Sequence, residues 1–81
     1  MNTNNMIKLC DLKLGEAARV TKISPNNRIR RRLIDIGLIE GTKVSCVCLS
    51  PTGGMRAYLI RGASVAIRDE DICDVFAERI G

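Results

Sequence analysis

The chain has 81 residues, a formal net charge of +4, 46% hydrophobic residues and only 2% aromatic ones. A chain of this length makes one small domain without room for a large ligand cavity, and so few rings argue against a platform that stacks single-stranded bases. With no His, the commonest general base is missing, together with the Ser-His and Cys-His nucleophile pairs, so no catalytic residue is expected.

In chain order, Met1 to Met6 is polar and is expected to be a disordered tail. It lacks the apolar stretch of a secretory signal, and no run approaches the length of a membrane span. A cytoplasmic chain with no direct membrane insertion is the expectation. Ile7 to Leu14 reads as a short turn of apolar contacts, broken by Gly15-Glu16. Ala17 to Ser24 is the first strand. Val20 and Ile23 are three apart, so a bulge or a two-sided strand is needed to bury both.

Ser24-Pro25-Asn26-Asn27 turns the chain into a short helix of about two and a half turns, with Asn26 or Asn27 as cap. Ile29, Leu33 and Ile36 recur on one helical face. Gly37 sits where a left-handed residue ends a helix, and Leu38 is placed to fold back on Leu33. Glu40-Gly41 makes a second turn. Two features are not explained by folding. Arg28, Arg30, Arg31 and Arg32 gather at the positive end of the helix dipole and Asp35 at the negative end, each unfavourable by roughly 0.3–1 kcal/mol when exposed. Ile34 falls roughly 130° from the centre of the buried face. Arg28, Arg31, Ile34 and Asp35 are therefore expected to form a partner-binding surface, together with the loop residues Pro51, Gly53 and Gly54. The alternative is that the arginines are merely solvated and Ile34 packs under Ile7 to Leu12.

Thr42 to Leu49 is the second strand, with Val44, Cys46 and Cys48 on one face. Ser50 to Gly54 is a loop, Met55 to Ile60 the third strand, Arg61-Gly62 a hairpin turn and Ala63 to Arg68 the fourth strand. Asp69-Glu70-Asp71 starts a single helical turn. Ile72 to Phe76 is the last strand, and residues 77–81 a tail. Cys10, Cys46, Cys48 and Cys73 lack the paired spacing of a zinc site, so they are expected as reduced thiols with no metal and no cofactor.

Five short strands with one helix after the first and a helical turn before the last imply a mainly β chain closed as a small barrel. Residues 7–76 form the single domain between tails at 1–6 and 77–81. Its expected core is Val20, Ile23, Ile29, Leu33, Ile36, Leu38, Val44, Leu59, Ile67 and Val75. Leu33 and Leu38 are expected to be structural, as are Gly37, Gly41 and Gly62.

Leu12-x-x-Gly15, Val20-x-x-Ile23, Arg31 to Leu38, Glu40-Gly41-Thr42-x-Val44, Ser50-Pro51-x-Gly53-Gly54, Arg61-Gly62 and Ala66-Ile67-Arg68 together resemble the ferrous-iron transport protein A family. The resemblance covers about Leu9 to Val75, and the helix-to-turn block is its most specific part. It implies an SH3-like barrel. It also implies a cytosolic accessory protein, not an enzyme, for the large inner-membrane ferrous-iron transporter with its GTP-binding domain. Within that family an arginine finger is one physical route to regulating the GTPase. Two other functions fit the residues: a transition-metal-responsive module acting through its thiols, and a basic small barrel that binds nucleic acid. The missing aromatics oppose the latter, so no nucleic acid is expected as partner.

Overall fold

Alternation of inward aliphatic and outward polar positions builds the sheet. Ala18 and Val20, Val44 and Cys46, Tyr58 and Ile60, and Val75 and Ala77 are all buried at a spacing of two. The computed structural model describes residues 6–80. In chain order the elements are β1 (Met6–Lys8), a 3-10 turn (Leu9–Asp11), β2 (Ala17–Ile23), α1 (Arg30–Asp35), β3 (Lys43–Leu49), β4 (Met55–Ile60), β5 (Ala63–Arg68), α2 (Asp69–Ile72) and β6 (Val75–Ile80). The chain is mainly β, with one antiparallel sheet in the order β1-β6-β2-β3-β4-β5.

The sheet has six strands where five were expected. Met6–Lys8 pairs with Phe76 to Glu78 and adds an edge. The helix consequently follows the second strand, not the first. Among the described residues the sheet does not close by strand pairing; β1 and β5 are its edges. Instead α2 packs against β5 and against the 3-10 turn, so side chains cover that end. The last strand begins and ends later than expected. Residues 77–80 are strand, all paired with β2 and the first two also with β1, and are not a tail. The tail expected at residues 1–6 lies outside the described residues except for Met6, which is in β1.

Of the bulge or two-sided strand expected in β2, the bulge is present as a register shift between Val20 and Lys22. It lets Val20 be buried while Ile23 packs on the core from the strand end. A second shift, between Cys46 and Cys48, was not expected. It breaks the alternation, so Cys46 is buried and Cys48 exposed, and the two thiols do not share a face. Leu59 was expected inside but is 42% exposed. Tyr58 and Ile60 take the inward positions of β4, which forces the residue between them outward.

The helix is shorter than expected, at six residues. Asn27 does not cap it. Its Oδ1 accepts from Ile29 N at 2.9 Å, while its Nδ2 donates to Asp71 O and to the Asp74 carboxylate. Asn27 is thus used to tie the loop before α1 to α2 and the segment after it, and the helix starts beyond it. The C-terminal end follows the sequence closely. Leu38 N donates to Leu33 O at 2.9 Å and Gly37 N to Ile34 O at 3.0 Å, with Gly37 at φ +95°. That is a Schellman close. Gly41 N donates to Val20 O at 2.7 Å, and Val20 N to Thr42 O at 2.9 Å, which stitches the next turn to β2. At the β4–β5 hairpin Arg61 and Gly62 both take positive φ, as a two-residue turn of this hand requires.

Leu33 is fully buried in the core with Leu38, Val44 and Tyr58. We predict that Leu33→Ala costs roughly 2–5 kcal/mol in chemical denaturation. Gly37 should be nearly as sensitive. A Cβ there would run into Cδ of Arg61 as well as being strained by the backbone. Gly37→Val is predicted to cost at least ~1–3 kcal/mol; a cost within that of ordinary surface changes would show that the turn can rearrange.

Candidate functional site

Helix α1 turns Leu33 inward, with Ile29 and Ile36 packed against the core beside it. Ile34 must therefore face away, and it is 37% exposed. Ile39 follows the buried Leu38 out of the Schellman turn and is 44% exposed. Ile23, Ile34 and Ile39, with Arg30 and Glu40, line a shallow depression of about 440 Å³ on one side of α1. On the other side a groove of about 350 Å³ runs between α1 and β5, floored by Ile29, Leu33, Ile36, Val65 and Ile67.

Arg28, Arg31 and Asp35 are exposed on and beside α1 but line neither hollow. Arg28 Nε stands 4.0 Å from the Asp71 carboxylate, while its own side chain remains 76% exposed. Pro51, Gly53 and Gly54 are exposed at the β3–β4 loop and also line neither. Gly54 O accepts from Asp69 N at 2.8 Å, which ties the loop to α2. Among the described residues no side chain from Ile7 to Leu12 lines the depression around Ile34. Sequence reasoning found Ile34 but missed Ile39, Ile23, Arg30 and Glu40 beside it. The available signal was Ile39 itself, a large aliphatic immediately after the residue that closes the helix.

The interior carries a second set of polar contacts. Tyr58 Oη donates to Leu9 O at 3.2 Å. Arg56 Nε donates to the Asp69 carboxylate at 3.2 Å, and its Nη1 donates to Leu12 O. These bonds fasten the 3-10 turn and α2 to β4. Burial pushes the Tyr58 phenol up. Burial, then a hydrogen bond and negative charge at Cys73, then Asp11 and Asp69, push the Cys10 thiol up to about 12. All four cysteines are free thiols. Among the described residues no three potential metal ligands gather.

A small β domain with an exposed, basic, isoleucine-bearing helix is the class that this geometry defines. The chain belongs to the FeoA domain family, whose model matches residues 7–79. It is similar to the FeoA protein of Chlorobium tepidum, with 28% identity over 93% of this chain and 71% of that one, and a TM-score of 0.84. A FeoA-like protein of Clostridium acetobutylicum is 26% identical over 96% of this chain and 91% of that one, with a TM-score of 0.86. The zinc complex of Stenotrophomonas maltophilia FeoA, described as a prokaryotic SH3 domain protein, is 26% identical over 86% of this chain and 87% of that one, with a TM-score of 0.71. The fold is accordingly SH3-like, as the sequence resemblance implied. No curated protein matches the chain. Among the described residues no helix is long and apolar enough to cross a membrane.

The buried phenol and thiol make stability fall in alkali. Both folded pKa values are raised, so the folded state keeps protons that the unfolded state releases. Their contribution is intact below the ordinary values of 9.0 and 10.0 and is lost as pH rises above them. We predict that the denaturation midpoint is flat to about pH 9 and falls steadily to pH 11. Tyr58→Phe should lower stability at neutral pH by about 0.5–1.5 kcal/mol for the lost bond, and should shallow the alkaline decline.

Proposed function

We propose that this chain is a cytoplasmic accessory protein of ferrous-iron uptake that binds the large GTP-binding membrane transporter. Membership of the FeoA domain family supports the iron-transport setting, and the Stenotrophomonas maltophilia relative is described in terms of activating ferrous iron transport. The observation that carries the binding role is Ile34. It is a large aliphatic side chain left exposed on a helix whose neighbouring positions are charged, with exposed Ile39 beside it. An apolar anchor ringed by charge is how a small interface obtains affinity from few residues. Arg30 and Glu40, which line the depression, form the charged rim of this proposed surface, and Arg28, Arg31 and Asp35 extend it over the exposed positions on and beside the helix. Pro51, Gly53 and Gly54 are a second, separate contact in this proposal.

The arginines act here by complementing acidic groups on the partner, which sets approach rate and orientation more than final affinity. Ile34→Gln and Arg31→Glu test the reading. Both are surface changes, so stability should shift by no more than about 0.5 kcal/mol. Ile34→Gln should weaken co-purification with the transporter by ~1–2 kcal/mol of binding energy. Arg31→Glu should lose binding mainly at low salt, and both should reduce ferrous-iron uptake. Folded variants that co-purify and support uptake normally would eliminate this surface.

A further inference from the structure

The groove between α1 and β5 has a property that the depression around Ile34 lacks: one of its walls is an unpaired sheet edge. Strand β5 pairs only with β4 among the described residues, through Ile60↔Ala63, Tyr58↔Val65 and Arg56↔Ile67 and the pairs between them. A two-residue turn makes its flanking pair, Ile60 and Ala63, exchange main-chain bonds, and the pattern then alternates. Ala63, Val65 and Ile67 are thereby bonded to β4. Ser64 and Ala66 turn their N–H and C=O groups toward the open edge, and Arg68, whose C=O begins α2, turns only its N–H there; Ala66 and Arg68 border the groove.

The groove also carries charge and an unmet polar atom. Arg32 from α1 and Arg68 from β5 border it, with Asp71 between the elements. One carboxylate oxygen of Asp71 is buried without a hydrogen bond among the described residues, and Arg28 Nε stands 4.0 Å away. That oxygen is enclosed by the protein and out of an occupant's reach, while the Asp71 side chain as a whole is 16% exposed. The aliphatic floor asks for apolar side chains and the two arginines for carboxylates. The negative charge of Asp71 and an apolar floor both disfavour a phosphate backbone.

We propose that an extended peptide segment of a partner protein, alternating aliphatic and acidic side chains, adds as a strand to the β5 edge in this groove. Its main chain pairs with Ser64, Ala66 and Arg68. Its aliphatic side chains rest on the half-buried Ile29, Ile36 and Val65, and its acids meet Arg32 and Arg68. This rests on reading the chain as a protein-binding module, and it names the chemistry of what is bound.

The test uses the full chain, isotope-labelled, titrated with a short acetylated peptide that alternates valine and glutamate. A peptide alternating valine and lysine is the control. The expected result is saturable binding of the acidic peptide only, with amide shifts and slowed hydrogen exchange at Ser64, Ala66 and Arg68. Ala66→Pro removes one edge N–H without touching the pairing to β4, and should weaken binding about tenfold or more. If that variant fails to fold, the double change Arg32→Glu with Arg68→Glu takes its place and should reverse the preference between the peptides. No binding of the acidic peptide, equal binding of both, or shifts gathered at Ile34 and Ile39 would overturn the proposal. The assay contains no transporter, so its failure would leave co-purification and uptake to be judged separately.

Discussion

A helix of six residues cannot persist in water on its own hydrogen bonds. Helix α1 persists because Leu33 and Leu38 are both fully buried and are joined by the main-chain bond from Leu38 N to Leu33 O. That bond requires the left-handed Gly37, over which the Arg61 side chain lies. One short stretch thus couples three parts of the molecule: the core through Leu33, the β4–β5 hairpin through Arg61, and β2 through the bonds of Gly41 and Thr42 to Val20. The other end is fixed by Asn27, whose amide reaches across to the α2–β6 segment. The helix is anchored at both ends by partners distant in sequence.

Anchoring of this kind fixes the helix's rotation, and this is where folding and function meet. With Leu33 locked inward, Ile34 has no inward rotation open to it, and with Leu38 locked inward Ile39 must emerge. Exposing two aliphatic side chains sacrifices up to about 1.5–3 kcal/mol each of burial that a different sequence could have used. The arginines at the helix start add a further unfavourable interaction with the dipole. Neither cost is offset by a contact among the described residues, apart from the distant pairing of Arg28 with Asp71. Under the proposed partner contact both features would become favourable. The SH3-like sheet behind them serves as a rigid mount.

The parts legible in the sequence were those set by local chemistry. Gly37-Leu38 specified the helix close, Arg61-Gly62 the hairpin, and the spacing of Val20 and Ile23 the first bulge. Non-local interactions were not legible. The pairing of Met6–Lys8 with β6 joins residues at opposite ends of the chain, and three residues carry too little pattern to announce a strand. Asn27 looked like a cap because the residues that its amide nitrogen bonds lie 44 and 47 positions away. The shift between Cys46 and Cys48 has no local marker, since neither Gly nor Pro stands there. Of the candidate site, Ile34 could be read from helical phase alone. Ile39 carried a local signal, its place straight after the residue that closes the helix, but Ile23 did not, because only the tertiary fold brings the end of β2 beside the turn after α1.

The central claim is that the aliphatic side chains left out of the core beside α1 are the contact surface for the transporter. The most direct measurement labels the isoleucine methyl groups of the intact chain and records their spectra with and without the detergent-solubilised transporter. The signals of Ile34 and Ile39 should broaden or shift on addition, with Ile23 following. The core methyls of Ile60 and Ile72 should report only the slower tumbling of a complex. Unchanged spectra at saturating transporter, or a complex in which Ile34 and Ile39 behave like the core methyls, would contradict it.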